Sequence, residues 1–182
     1  MRKRTMVELG RKSVDEAISS NKFPILLILE NIRSAYNVGS AFRTADAFQV
    51  ESIFLTGYTA FPPHKEIRKT ALGAEDAVHW RHFPNAGAAI DAARAAGYRI
   101  MAVEQTTDSI PLQQLGSESV QKLALVFGNE VTGVEQSTIQ LSDGCVEIPQ
   151  GGIKHSINVA TALGVVIWEL VRSQVDQKAI LR

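Results

Sequence analysis

A single cysteine, Cys145, stands in 182 residues, which excludes a disulfide framework or a cysteine-based zinc site within one chain and fits a reducing, cytoplasmic setting. Histidine is also sparse. His64, His79, His82 and His155 are scattered with no H-E-x-x-H or comparable pairing, so no metal centre is expected. Net charge is missing too, because 19 Lys and Arg meet 19 Asp and Glu. That balance excludes a protein that coats nucleic acid by charge alone, and any such contact must be a local patch. No apolar run approaches the roughly 18 residues that suggest a membrane span, and the charged N-terminus lacks the apolar segment of a secretion signal. A soluble, intracellular protein without membrane partners is expected. No repeat or low-complexity tract is visible, and no G-x-G-x-x-G opens a helix, which gives a dinucleotide dehydrogenase little weight.

What is present is core. Hydrophobic residues make up 45% of the chain and charged residues 21%, enough for one well-buried domain and too short for two comfortable ones. Arg2, Lys3, Arg4, Arg11 and Lys12 face only Glu8 in the first twelve residues, which is either a basic arm or a solvated terminus. Ser13 to Glu16 forms a capping box that opens a short helix. Ile25–Leu29 reads as a buried strand, Asn37–Phe48 as a helix and Ile53–Leu55 as a second strand. After Pro62-Pro63 comes a polar stretch with Gly73, then a strand around Val78–Trp80. An alanine-rich helix follows over Ala86–Ala96, closed by Gly97. Tyr98–Val103, Leu123–Phe127 and Cys145–Ile148 read as further strands, and Leu123–Phe127 has the unbroken apolar character of a parallel strand buried on both faces. Alternation of strands and helices over the whole length predicts an α/β fold with a mostly parallel, doubly wound sheet.

Three segments carry polar residues where such a fold places ligands. Ile-Pro-Gln-Gly-Gly-Ile-Lys-His-Ser-Ile-Asn, residues 148–158, runs from a strand through a glycine-rich turn into the apolar helix Val159–Leu170. With Ser156 as N-cap, the helix start leaves backbone N–H groups for a polar ligand; the plain alternative is an ordinary capped βα connection. Ser156 and Asn158 set two apart exceed what one cap needs. Asn31 to Ala45 places Asn37, Gly39 and Arg43 in the first turns of one helix. Asn37 and Arg43 lie about 120° out of alignment, so they converge only through the length of the arginine. Arg43 is either a partner for phosphate or carboxylate, or a surface arginine with its stem on the core. Phe127-Gly128-Asn129-Glu130-Val-Thr-Gly133 follows the most hydrophobic strand, where glycines allow close backbone approach and Asn and Glu offer specific contacts.

In this order the segments resemble the three motifs of the SpoU, or TrmH-like, branch of the SPOUT RNA methyltransferases. The first motif resembles Asn37-x-Gly39-x-x-x-Arg43-Thr-Ala45 and the second Phe127-Gly128-Asn129-Glu130-x-x-Gly133. The third resembles Ile148-Pro149-x-x-Gly152-x-x-x-Ser156-Ile157-Asn158-Val159. Departures are small: Gln150 stands where the family often has Met, Ile157 where it often has Leu, and Ala160-Thr161 where Ser-Val is common. The resemblance covers about residues 24–172 and implies a catalytic domain over 24–182, preceded by a basic arm and short helix over 1–23.

What the resemblance implies is methyl transfer from S-adenosylmethionine to a ribose 2′-hydroxyl of RNA. It assigns Arg43, Asn37, Glu130, Ser156 and Asn158 to catalysis, and Phe127, Gly128, Asn129, Ile148, Gly152, Ile157 and Asn158 to the cofactor. Guanidinium groups stay protonated, so Arg43 is either an unusual base or a phosphate clamp. The resemblance further implies a C-terminal trefoil knot and a homodimer with the site near its interface. Transfer RNA, at guanosine 18 of the D-loop, is the preferred substrate, from the basic arm and from the likeness of Val103–Thr106 and Val146–Gln150 to such members. Ribosomal RNA and the tRNA wobble position are the alternatives. A catalytically silent RNA-binding module of this fold is disfavoured by the intact Arg43, Glu130, Ser156 and Asn158, and a small-molecule nucleotide-binding domain would show no RNA dependence.

Overall fold

Alternating side chains within single strands show how the sheet is covered. In β1 (Phe23–Glu30), Ile25, Leu27 and Leu29 enter one core while Leu26 and Ile28 enter another, and all five are at most 1% exposed. β6 (Leu123–Phe127) does the same, with Leu123, Leu125 and Phe127 on the first side and Ala124 and Val126 on the second. Each such aliphatic side chain is worth roughly 1.5–3 kcal/mol when fully buried, so continuous apolar runs become the central strands. The computed structural model describes residues 1–5, 8, 10, 12–116, 122–154 and 156–172. Arg11 of the basic arm, His155 and positions 173–182 lie outside the described residues.

Five further strands complete the sheet: β2 (Val50–Thr56), β3 (His79–Phe83), β4 (Arg99–Val103), β5 (Ile110–Pro111) and β7 (Gly144–Glu147). The order is β3-β2-β1-β6-β4-β7-β5, and every pairing is parallel. Register aligns Leu27 with Ile53 on one side and with Leu125 on the other. Successive connections from β1 run outward to β2 and β3, then return to β4 on the far side of β6. Parallel sheets that reverse direction in this way open a crevice at the carboxyl ends of the central strands.

Among the described residues there are eight helices, and those with buried faces cover the two cores. On the first side lie α2 (Ala35–Ala47), α3 (Lys65–Ala71), α6 (Leu112–Gly116) and α8 (Val159–Val171), through Val38, Phe42, Ile67, Leu115, Leu163 and Ile167. On the second lies α5 (Ala86–Ala95), through Ala89, Ile90 and Ala93, with Ile139 of α7 (Gln136–Leu141) packed alongside. The doubly wound α/β arrangement is therefore as expected. α1 (Val14–Ser19) has the capping box, with Ser13 Oγ accepting from Glu16 N and Glu16 accepting from Ser13 N. No helix among the described residues is long and apolar enough to cross a membrane.

Three departures have physical reasons. The polar stretch after Pro63 contains α3 and α4 (Ala74–Ala77): His64 Nδ1 accepts from Glu66 N, and Ile67 and Ala71 bury one narrow face. The strand expected around Val78–Trp80 is displaced to His79–Phe83, where its backbone aligns with Ser52–Thr56. Ser156 is not the N-cap of the last helix. Asn158 is, its Oδ1 accepting from Ala160 N at 2.9 Å and Thr161 N at 3.3 Å, so one amide oxygen serves two donors that the helix leaves open.

Candidate active site

The loops at the carboxyl ends of β4, β6 and β7 surround a cleft of about 440 Å³. Apolar lining comes from Val103, Phe127, Val146, Ile148 and Ala162, and polar lining from Glu104, Asn129, Glu130, Thr132, Gln150, Ser156 and Asn158. That size and mixture match sites for small organic ligands.

The loop after β6 is held by its own asparagine. Asn129 exchanges both backbone hydrogen bonds with Gly133, at 3.0 and 2.9 Å, and its Oδ1 accepts from Val131 N and Thr132 N. Its Nδ2 donates to Asn31 O at 2.8 Å and to the Tyr58 hydroxyl at 2.6 Å. The closure leaves no room at Gly128, where a Cβ would lie 2.1 Å from Gly133 C and Val134 N. At Gly133, φ is +70° and a Cβ would meet the Glu104 carboxylate at 2.1 Å. Glycine is required at both positions.

Glu130 joins this loop to the start of α2. Its two carboxylate oxygens accept from Arg33 N (2.9 Å) and Ser34 N (3.2 Å), and Asn37 Nδ2 donates to it at 2.8 Å. Asn158 Nδ2 then donates to Asn37 Oδ1 at 3.2 Å. A continuous hydrogen-bonded path therefore runs Glu130–Asn37–Asn158, one residue from each of the three segments. Burial pushes the Glu130 carboxyl up, but the backbone donors of Arg33 and Ser34 and the Asn37 amide outweigh it and hold it below its ordinary value.

Other expected positions fall differently. Phe127, Gly128, Asn129, Ile148, Ser156 and Ile157 line the cleft. Gly152 does not, and a Cβ there would touch nothing within 4 Å. Gly39 serves helix packing, since a Cβ would lie 2.1 Å from Thr70 Oγ1 and 2.3 Å from Ile67 O of α3. Arg43 does not bridge to Asn37 within the chain. It is exposed, makes no hydrogen bond or ion pair with another described residue, and lines a second cleft of about 670 Å³ with Arg4, Lys12, Lys22 and Asp46. The 120° turn of helix between the two residues, rather than the reach of the arginine, decides this.

Reading residues one segment at a time missed a supporting layer. Glu104 Oε2 accepts from Val134 N, and its Oε1 from Gln105 N, both at 2.9 Å. Glu30, 1% exposed at the end of β1, accepts from Glu135 N at 3.0 Å and from Thr138 Oγ1. Burial raises the Glu30 carboxyl above its usual range. Asn31 stands at φ 53°, and its Nδ2 donates to Glu135 Oε1 at 2.7 Å. The available signal was a polar residue at a strand end: Glu30 and Asn31 at the end of β1, and Glu104 directly after β4.

A model of the SpoU rRNA Methylase family matches residues 24–168. The 23S rRNA (guanosine-2′-O-)-methyltransferase RlmB of Haemophilus ducreyi is 30% identical over 174 residues, covering 93% of this chain and 68% of that one. The tRNA (guanosine(18)-2′-O)-methyltransferase of Thermus thermophilus is 26% identical over 174 residues, covering 96% of this chain and 87% of the relative. Among solved structures, the SpoU methyltransferase AviRb from Streptomyces viridochromogenes in complex with the cofactor AdoMet superimposes with a TM-score of 0.76. It is 23% identical and covers 88% of this chain and 62% of that chain. The cleft fits such a cofactor: apolar walls from three strand ends suit an adenine ring and methionine methylenes, and adjacent carboxylates and backbone groups suit its polar ends. The chain belongs to the SpoU methylase family and is an S-adenosylmethionine-dependent RNA ribose-2′-O-methyltransferase.

Proposed function

We propose that the substrate is transfer RNA, with guanosine 18 of the D-loop as the methylated nucleotide, and that the reaction takes place in the cytoplasm. The observation that carries this reading is where the two segments resembling guanosine-18 methyltransferases, Val103–Thr106 and Val146–Gln150, fall. Val103, Glu104 and Gln105 form one wall of the cofactor cleft, and Val146 to Ile148 with Gln150 form another. Support also comes from the Thermus relative, matched over most of both chains. The rival substrate is ribosomal RNA, favoured by the higher identity to the Haemophilus enzyme. Labelled methyl supplied to total cellular RNA, fractionated and mapped for ribose methylation, tests the choice: label at guanosine 18 is expected, and label confined to 23S rRNA would overturn it.

When bound in the cleft, S-adenosylmethionine supplies a methyl group on a positively charged sulfur. Phe127, Gly128, Ile148 and Ile157, which line the cleft, would hold it, and Asn129 would keep the loop after β6 closed beside it. The chain's task is then to bring a 2′-hydroxyl in line and to manage its proton, because a neutral hydroxyl is a weak nucleophile. Glu130 and Asn37 fix the start of α2, and Asn158 locks the start of α8 to Asn37, so the three segments hold one relative geometry. Ser156, at the cleft, orients the hydroxyl. Arg43 supplies positive charge that favours the developing alkoxide or grips the neighbouring phosphate.

Because Arg43 lies outside its own chain's cofactor cleft, the proposal includes a homodimer in which two copies complete the site. α8 supports it. Val165 is 40% and Trp168 49% exposed on the face opposite the core, and the Trp168 ring stands 5.9 Å from Phe48 at the end of α2. The proposal also takes residues 24–182 as the catalytic domain, residues 1–23 as an RNA-facing arm, and the segment from Gly128 to Asn158 as part of a trefoil knot. Sedimentation, with methyl transfer rescued by mixing Arg43→Ala and Asn158→Ala chains, tests the shared site.

A further inference from the structure

Four aromatic residues are exposed among the described residues: Tyr36, Tyr58, Phe61 and Trp168. Trp168 belongs to the α8 face already described. Tyr58 and Phe61 belong to a different surface, at the free edge of the sheet where β3 pairs only with β2. Period-two alternation puts Trp80 and His82 on one face of β3, and Phe61 lies against both, 6.1 Å from the Trp80 ring and 4.6 Å from His82. Phe61 remains 46% exposed and Tyr58 63%. On the opposite face Arg81 sits over Phe83 and Phe54, at 4.7 and 5.6 Å from the ring centroids.

This aromatic row is tied to the active-site loops. His82 Nε2 lies 3.0 Å from Gly57 O, and Tyr58 N donates to Asn31 Oδ1 at 3.4 Å. The Tyr58 hydroxyl receives the Asn129 amide at 2.6 Å. An exposed path therefore leads from the loop beside the cofactor cleft along Tyr58 to the Phe61 stack. Its charge is not that of the whole chain, which is neutral: residues 57–70 carry Lys65, Arg68 and Lys69 against Glu66 alone. Aromatic faces interleaved with cations are the chemistry that receives unpaired bases joined by phosphates.

We propose that Phe61, with Trp80 and His82 behind it and Tyr58 on the path to the cleft, is a stacking platform for unpaired bases of the RNA substrate, flanking the nucleotide that is methylated. The proposal rests on the RNA methyltransferase activity and adds a surface to it. Phe61 takes no part in the catalytic network, so its removal acts on RNA binding and not on the cofactor.

The test uses the full-length protein with Trp168→Phe, which leaves Trp80 as its one tryptophan, a fluorescein-labelled RNA hairpin with a large unpaired loop, and a fully paired duplex of the same strand. Hairpin binding should quench Trp80 fluorescence, and the duplex should not. Phe61→Ala should weaken hairpin affinity and raise the RNA KM by roughly tenfold, as loss of one stacked base does. S-adenosylmethionine affinity should stay at the wild-type value, which also shows that the variant folds. The slope of affinity against salt should be unchanged, because stacking releases no counterions. Phe61→Tyr should restore binding. Wild-type hairpin affinity in Phe61→Ala, or an unquenched Trp80, overturns the platform while leaving the activity standing. Dissociation of a dimer by Phe61→Ala with unchanged RNA affinity overturns it in favour of a second copy covering this edge. Wild-type protein that binds cofactor but neither binds nor methylates any RNA overturns the activity itself.

Discussion

The two sides of α2 differ in how complete they are. Toward the cofactor cleft, Asn37, Glu130 and Asn158 are joined by hydrogen bonds of 2.8 and 3.2 Å, and Asn129 uses both ends of its amide within the chain. Among the described residues no buried side-chain nitrogen or oxygen lacks a partner. Toward α1, Arg43 makes no ion pair with another described residue, and its cleft collects Arg4, Lys12 and Lys22 around the carboxylate of Asp46. One side is organised before anything binds; the other presents cations to an incoming anion. A cofactor needs a fixed cradle, whereas a large polyanion contributes charge and shape of its own, so preorganisation matters most where the small ligand sits.

The largest test of this contrast is Arg43→Ala. Loss of one charge aimed at a developing alkoxide or its phosphate should lower single-turnover methyl transfer by at least about 100-fold. Because the side chain is exposed and makes no hydrogen bond or ion pair with another described residue, the urea unfolding free energy should move by less than about 0.5 kcal/mol. A stability change of several kcal/mol would place Arg43 in the scaffold instead. Next comes a pair of glycines. Gly128→Ala must push apart backbone atoms 2.1 Å away and should cost about 1–3 kcal/mol with a clear loss of cofactor affinity in calorimetry. Gly152→Ala meets open space and should leave the unfolding midpoint within about 0.5 kcal/mol. Equal effects would mean that the loop carrying Gly152 closes when cofactor binds.

Asn158→Ala should remove the cap of α8 and the link to Asn37, costing about 1 kcal/mol in chemical denaturation and slowing transfer. The smallest effect concerns pH. Glu130 is held below its ordinary value, so the stability it contributes is complete above the usual carboxylate range, roughly pH 4, and is lost as pH falls through its lowered value. Glu30 has the opposite sign: burial raises it, and the cost of its charge disappears in acid. Glu130→Gln should therefore lower stability by about 1 kcal/mol at neutral pH, after allowance for solvent screening, and the deficit should shrink on acidification. An undiminished deficit in acid would show that the carboxylate charge is not what holds Arg33, Ser34 and Asn37.

Legibility followed the type of interaction. Leu123–Phe127 was readable to the residue, because a five-residue apolar run buried on both faces has no other stable place in an α/β protein. The α5 helix was readable from its run of alanines and from Gly97, which stands at φ 84°; Asn85 caps its start. α3 was not, because its apolar stripe is only Ile67 and Ala71 and its value comes from contact with Gly39 of α2. The last helix was read with Ser156 as its cap; Asn158 caps it instead, and its Nδ2 also donates to Asn37 Oδ1, a contact that no spacing along the chain reveals.

By itself, the sequence determined what depends on spacing along one chain. That includes the strands and their double burial, the three polar segments following strands, and a motif order specific enough to assign the family. The tertiary structure decided what depends on distance between segments. It joined Glu130, Asn37 and Asn158 across 93 and 121 positions of chain, turned Arg43 away from them, and lined up Phe61 with an edge strand. The reason is physical: periodicity constrains which face a residue occupies on its own element, while only the packing of α2 and α8 against the sheet sets what that face meets.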